Sequence, residues 1–330
     1  MIRSEFITQA NAFGRTQTPC FFVIDFEQQR PFICELTQAQ TYGFYYAFGE
    51  QTNFDRTFPP PAALKLHASP PHIADYARAF EHVVHHLQMG NTYLLNLTMQ
   101  TAIECNYTLD EIFVFSHAPY KLLSLAKDRT FVCFSPEPFV QTRDNQIFSY
   151  PMKGTIDATL PDAEQRLLNS QKEQWEHNTI VDLIRNDLAM VAEHIEVTRF
   201  RYVERLNTER GAILQTSSEI RGNLPPKWQA NLGEILWTLL PAGSISGAPK
   251  EKTVDIIAQA EGAPRGFYTG IFGIFDGENV QSAVAIRFIE QCEKGLIFRS
   301  GGGITAQSVL HDEYHEVAQK VYIPIRKNNV

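Results

Sequence analysis

One lysine in "SYPMKGTI", Lys153, stands between a proline-terminated strand and a glycine. A lysine there is either a surface residue beside a turn or an amine aimed at a substrate. Two acidic pairs follow. Glu173 and Glu176 of "KEQWEHN" lie three residues apart and share a helix face, and Glu313 and Glu316 of "DEYHEVAQK" repeat the spacing with Lys320 one turn on. Two such helices can offer oxygen ligands to a hard divalent cation, although glutamates at this spacing are more often a solvated face. "PAGSISGAPK" places Gly243, Ser244, Ser246 and Gly247 just before a helical first turn, where free N–H groups suit an anion and a plain capping turn serves equally. The three glycines Gly301, Gly302 and Gly303 end a strand, as a bulge or as a backbone anion site. Arg287, closing "SAVAIR", is either a carboxylate clamp or a structural ion pair. His82, His85 and His86 need no more than a wet helix face.

The elements that position these groups read as α+β. The chain has 330 residues, 44% hydrophobic and 20% charged, so it can bury a sizeable core. A net charge of -8 argues against a nucleic-acid or anionic-membrane partner. The five cysteines are scattered and never spaced Cys-x-x-Cys, so neither a disulfide framework nor a zinc site is indicated. No leader or span is visible, and a cytoplasmic home is expected. Residues 1–70 read as a short β-rich part ending in a Pro-rich connection at 56–72, and 71–330 as the remainder of one large domain. Helices are predicted over 73–90, 162–191, 230–240, 249–259 and 310–325. Strands fall between them, including strand, turn, strand, turn, strand over 266–304. Strand runs beside clustered helices predict antiparallel sheets surrounded by helices, not a doubly wound parallel sheet.

"SPEPF", "PMKGT", "VDLIRNDL", "PAGSISGAPK", "RGFYTGIFG", "AIR", "GGGI" and "EYHEVAQK" occur in this order, and the chain thereby resembles the chorismate-utilising enzymes: anthranilate, aminodeoxychorismate, isochorismate and salicylate synthases. The resemblance spans about residues 75–325 and implies a large sandwich of antiparallel sheets wrapped by helices. It implies Mg²⁺ on Glu176 and Glu316, with Glu173 and Glu313 behind them. It also implies substrate contacts from Ser244, Tyr268, Arg287, Gly303 and its neighbouring glycines, and Lys320, with Glu137 of "SPEPF" as general acid.

Within that family the lysine of "PMKGT" is similar to the "PIKGT" of aminodeoxychorismate synthases, where anthranilate synthases carry alanine. The resemblance therefore implies amination of chorismate at C4, with Lys153 either attacking C2 or blocking ammonia from it. Two departures fit. The lysine that activates water in isochorismate and salicylate synthases is matched by Leu94, and a histidine of many relatives by Gln215, which disfavours pyruvate elimination. No glutaminase motif is visible, so ammonia is expected from a separate glutamine amidotransferase subunit. An anthranilate synthase subunit is the alternative within the family, and a non-catalytic chorismate-binding relative the alternative outside enzymes.

Overall fold

In the computed structural model, which describes residues 1–59, 62–208 and 211–325, two nine-stranded sheets carry the fold, and every strand pair is antiparallel. The first sheet runs Met152–Asp157, Gly211–Asn223, Gln146–Ser149, Pro138–Arg143, Val280–Val284, Ile271–Phe275, Cys20–Ile24 and Phe32–Glu35, with Glu193–Thr208 paired to Gly211–Asn223. The second runs Gly247–Ala248, Leu94–Cys105, Gly295–Ile304, Phe288–Cys292, Arg129–Ser135, Tyr120–Ala126, Phe44–Phe48 and Gln51–Thr52, with Leu66–Ser69 on Leu94–Cys105.

The two-residue period of strands builds the layers. Phe21 and Val23 of one sheet, with Phe44, Tyr46, Phe131, Cys133 and Phe288 of the other, fill one buried cluster between the sheets. Their chain neighbours Cys20, Phe22 and Ile24 face a second cluster roofed by helices. On the other sheet Tyr45, Val132 and Phe134 face a third, covered by the helix Leu109–Phe115. Both faces are therefore buried, which is why "CFFVI" is an unbroken apolar run. Aromatic stacking adds to the seam, with Phe131 and Phe288 rings 4.7 Å apart.

Several expectations shift. The chain opens with a helix, Arg3–Thr16, ahead of the strands Cys20–Ile24 and Phe44–Phe48, which are built into the two sheets. The Pro-rich connection holds a short strand, Leu66–Ser69; Pro60 and Pro61 lie outside the described residues. The helix expected over 162–191 is two, Ala163–Asn169 and Gln171–Ala189, because the Ser170 hydroxyl accepts from the Glu173 N–H and starts a new helix. The last helix stops at Gln319; Val321, Ile323 and Ile325 then alternate into the third cluster, a two-residue period that requires extended chain. The 266–304 region gives four strands rather than three, since the chain leaves one sheet after Val284 and enters the other at Phe288.

Candidate functional site

Two chain crossings between the sheets define the site. Glu137 lies where the chain passes from Arg129–Ser135 in the second sheet to Pro138–Arg143 in the first, and Arg287 lies on the return crossing. The crossings brace each other: the Val284 N–H donates to the Glu137 carbonyl and the Phe134 N–H to the Arg287 carbonyl, each at 3.1 Å. Arg287 adopts φ 52°, a left-handed conformation uncommon for a side-chain-bearing residue, and this turns the chain from sheet to sheet. Its guanidinium donates to the Lys320 carbonyl at 3.3 Å and lies 5.1 Å from the Tyr322 ring centroid.

Burial pushes the Glu137 carboxyl above its ordinary range, against the donated Ser244 hydroxyl and the nearby Lys153, Lys320 and Arg287 charges. A carboxyl whose protonated form burial favours is suited to give a proton to a departing group. The Ser244 loop is fixed from behind. Lys250 bridges Asp187 at 2.9 Å, and Asp187 leaves no room for a side chain at Gly243, whose Cβ would lie 2.7 Å from Oδ2. A small cavity beside Glu137 is lined by Ser149, Tyr150, Ile184, Asp187 and Ser244.

Lys153 is half-buried on Met152–Asp157, where the pairing with Gly211–Asn223 shifts register between Lys153 and Thr155. Gly154 makes that irregularity possible. It has φ 77°, and a Cβ there would stand 2.9 Å from Glu173 Oε2. The Thr216 hydroxyl donates to the Lys153 carbonyl. The Lys153 amine reaches the triple-glycine strand: a Cβ on Gly303 would lie 3.3 Å from Nζ and 3.3 Å from Leu94 Cδ1. Lys153 is therefore no surface residue beside a turn.

Gly301, Gly302 and Gly303 end the strand Gly295–Ile304 in register with Leu95–Thr98, so they form regular strand rather than a bulge. A Cβ on Gly301 would clash with Asn96 Oδ1 at 2.9 Å, and one on Gly302 would contact Glu313 and Glu316 at 3.7 and 3.8 Å. Lys320 joins this wall, donating to the Gly301 carbonyl at 2.9 Å and bridging Glu316 at 2.8 Å. Burial lowers the Lys320 pKa despite that partner. Burial disfavours the Glu316 carboxylate, but Lys320 outweighs it and holds the carboxyl below its usual range. Tyr268 sits apart, buried in the inter-sheet cluster with its ring 5.9 Å from that of Phe288. Arg287 is among the charges acting on its hydroxyl, which burial shifts well upward.

The two acidic pairs do come together. Glu176 and Glu313 are buried, and burial raises both carboxyls. Lys172 lies between them, 3.9 Å from Glu176 Oε1 and 3.7 Å from Glu313 Oε1. Among the described residues no three His, Cys, Asp or Glu side chains form a ready metal cage. The chemistry nevertheless fits a hard cation, since the donors are all carboxylate and the gap between them already draws an ammonium.

Sequence reasoning passed over three residues here. Lys172 carries a signal, its four-residue spacing to Glu176 on one helix. His177 carries none: it is buried, bonded through Nε2 to the Ser218 hydroxyl at 2.6 Å, and burial lowers its pKa to about 4. Arg265 opens "RGFYTGIFG" and is 1% exposed. It grips Glu261 at 2.7 Å and donates to the carbonyls of Ile245 in the loop and Asn96 in the strand.

Comparison with known proteins agrees with this architecture. The chain belongs to the chorismate binding enzyme family, whose profile matches residues 5–326. A Pasteurella multocida protein named "Uncharacterized PabA-like protein" is 62% identical over 97% of this chain and 98% of its own length. Aminodeoxychorismate synthase component 1 of Klebsiella aerogenes is 32% identical over 75% of this chain and 56% of its own. Anthranilate synthase component 1 of Archaeoglobus fulgidus is also 32% identical, over 70% and 57%. The menaquinone-specific isochorismate synthase of Escherichia coli shares the fold, with a TM-score of 0.73 at 16% identity over 96% of this chain and 80% of that one. The protein is thus a chorismate-utilising enzyme by family, with the expected mixture of helices and antiparallel sheets. No helix among the described residues is long and apolar enough to cross a membrane.

Proposed function

We propose that the protein aminates chorismate at ring carbon C4, as an aminodeoxychorismate synthase component I, with ammonia from a glutamine amidotransferase subunit. Equal identity to an aminodeoxychorismate and an anthranilate synthase leaves the choice to the site. The observation that carries it is the placement of the Lys153 amine over Gly303, beside the apolar Leu94. Lys153 is the reactive amine, and no second lysine stands at Leu94 to activate water.

The site residues then divide the work. Arg287, Lys320 and the glycine strand match a substrate carrying two carboxylates. Glu137, protonated, delivers its proton to the C4 hydroxyl so that it leaves as water. The Lys153 Nζ lone pair attacks C2 as both ring double bonds shift by one bond and the C4–O bond breaks. Ammonia then attacks C4, both double bonds shift back, the C2–N bond to Lys153 breaks, and the new C4 ammonium returns a proton to the Glu137 carboxylate, giving 4-amino-4-deoxychorismate. Glu176 and Glu316, with Glu173 and Glu313 behind them, would hold Mg²⁺, which when bound stabilises negative charge on the ring carboxylate.

The test is incubation of the purified chain with chorismate, Mg²⁺ and either ammonium at alkaline pH or glutamine, with products identified by mass spectrometry. The 4-amino product from ammonium alone is expected. Anthranilate as the main product would overturn the C4 reading, and product from glutamine alone would overturn the separate amidotransferase.

A further inference from the structure

Lys172 is the only cation among the described ion pairs that joins carboxylates on two different helices. It links Glu176 on Gln171–Ala189 at 3.9 Å to Glu313 on Leu310–Gln319 at 3.7 Å. The exposures are unequal. The Glu313 and Glu176 side chains are 3% and 11% exposed, and that of Lys172 is 57% exposed. Two desolvated carboxylates facing one another across a helix–helix gap need a positive charge between them. Lys172 supplies it from the first turn of its helix, on a flexible stem that reaches in from solvent and can return there without moving the backbone.

Resting on the Mg²⁺ reading above, we infer that Lys172 is a resident counter-ion in the metal site. It neutralises Glu176 and Glu313 while the divalent cation is away and swings into solvent when the cation arrives. The cation must displace an ammonium already in place, so it binds weakly to the free protein. A substrate carboxylate adds negative charge to the gap and offsets that competition, so cation and substrate load together. Lys320 is held differently: it is paired within its own helix to Glu316 and tied to Gly301, so it stays as the cation enters.

Direct Mn²⁺ binding, read by electron paramagnetic resonance of the free ion, tests this on the wild type, Lys172→Met and Lys172→Arg, each with and without chorismate. Lys172→Met should bind Mn²⁺ roughly tenfold more tightly without chorismate, the scale of one partly buried charge pair, and gain less from chorismate than wild type. Lys172→Arg should behave as wild type. Without metal, Lys172→Met should also melt lower than wild type and recover when Mn²⁺ is added. Equal or weaker Mn²⁺ affinity in Lys172→Met overturns the inference and leaves the metal reading standing. Absence of Mn²⁺ binding in all three, even with chorismate, overturns both.

Discussion

Leu94 and Lys153 meet over a single glycine: a side-chain carbon on Gly303 would lie 3.3 Å from Leu94 Cδ1 and 3.3 Å from Lys153 Nζ. One position is thus apolar and the other an amine, both beside the same point of the strand. Chemistry at this wall should follow the location of the amine. Lys153→Ala should abolish the C4-amino product and the covalent adduct that intact-mass analysis detects with chorismate in the absence of ammonia. Lys153→Ala combined with Leu94→Lys moves the amine to the Leu94 position, and any restored turnover should add water at C2 rather than ammonia at C4. Wild-type rates of C4 amination in Lys153→Ala would remove Lys153 from the mechanism.

Glu137 should impose a pH limit of definite sign. Burial raises its pKa, and only the protonated carboxyl can donate to the leaving hydroxyl, so kcat/KM at fixed free NH₃ should fall as pH rises through that raised value. Glu137→Gln cannot donate as an acid. It should lose about 10²–10⁴-fold in turnover and also lose the alkaline limb. A Gln variant that keeps the wild-type profile would assign the limb to another group.

Arg265 holds the loop and strand of the site to each other, with its guanidinium on the Ile245 and Asn96 carbonyls and the Glu261 carboxylate. Arg265→Met leaves the Glu261 carboxylate with the Thr98 N–H but no cation, and takes a donor from each of the two carbonyls. Loss of one partner of a buried pair should destabilise by about 3–5 kcal/mol, measured as a lower urea midpoint. Unchanged stability would mean that the Thr98 N–H and water are enough for Glu261.

How far the sequence could be read depended on how local each signal was. The alternation in Leu94–Cys105 and the glycine stop after "HHLQM" depend on neighbouring residues, and both elements stand as expected. The break at Ser170 was also written locally, as Ser-x-x-Glu, but the apolar period on either side masks it. The site was legible residue by residue only through ordered motifs. What spacing could not give was the pairing of Glu176 with Glu313, 137 positions apart by their numbering, or the closing of that gap by Lys172. His177 and Arg265 were hidden for the same reason: their partners Ser218 and Asn96 are adjacent only once the sheets form.

Gly154 and Gly303 should separate stability from catalysis, because they make room for Lys153 in different ways. Gly154 has φ 77° and Glu173 Oε2 at 2.9 Å from where a side chain would begin, so Gly154→Ala meets both backbone strain and a close carboxylate. It should destabilise by about 1–2 kcal/mol and shift the thermal midpoint down. Gly303 has no left-handed strain, and the two atoms its Cβ would meet are the far ends of flexible side chains, each at 3.3 Å. Gly303→Ala should therefore leave the midpoint nearly unchanged. It should push the Lys153 amine from its position, and a displacement approaching 1 Å is enough to lower turnover by roughly 10²-fold. A Gly303→Ala protein that melts early would place the residue in the scaffold. One that melts normally and turns over at the wild-type rate would show that the amine needs no such fixed seat.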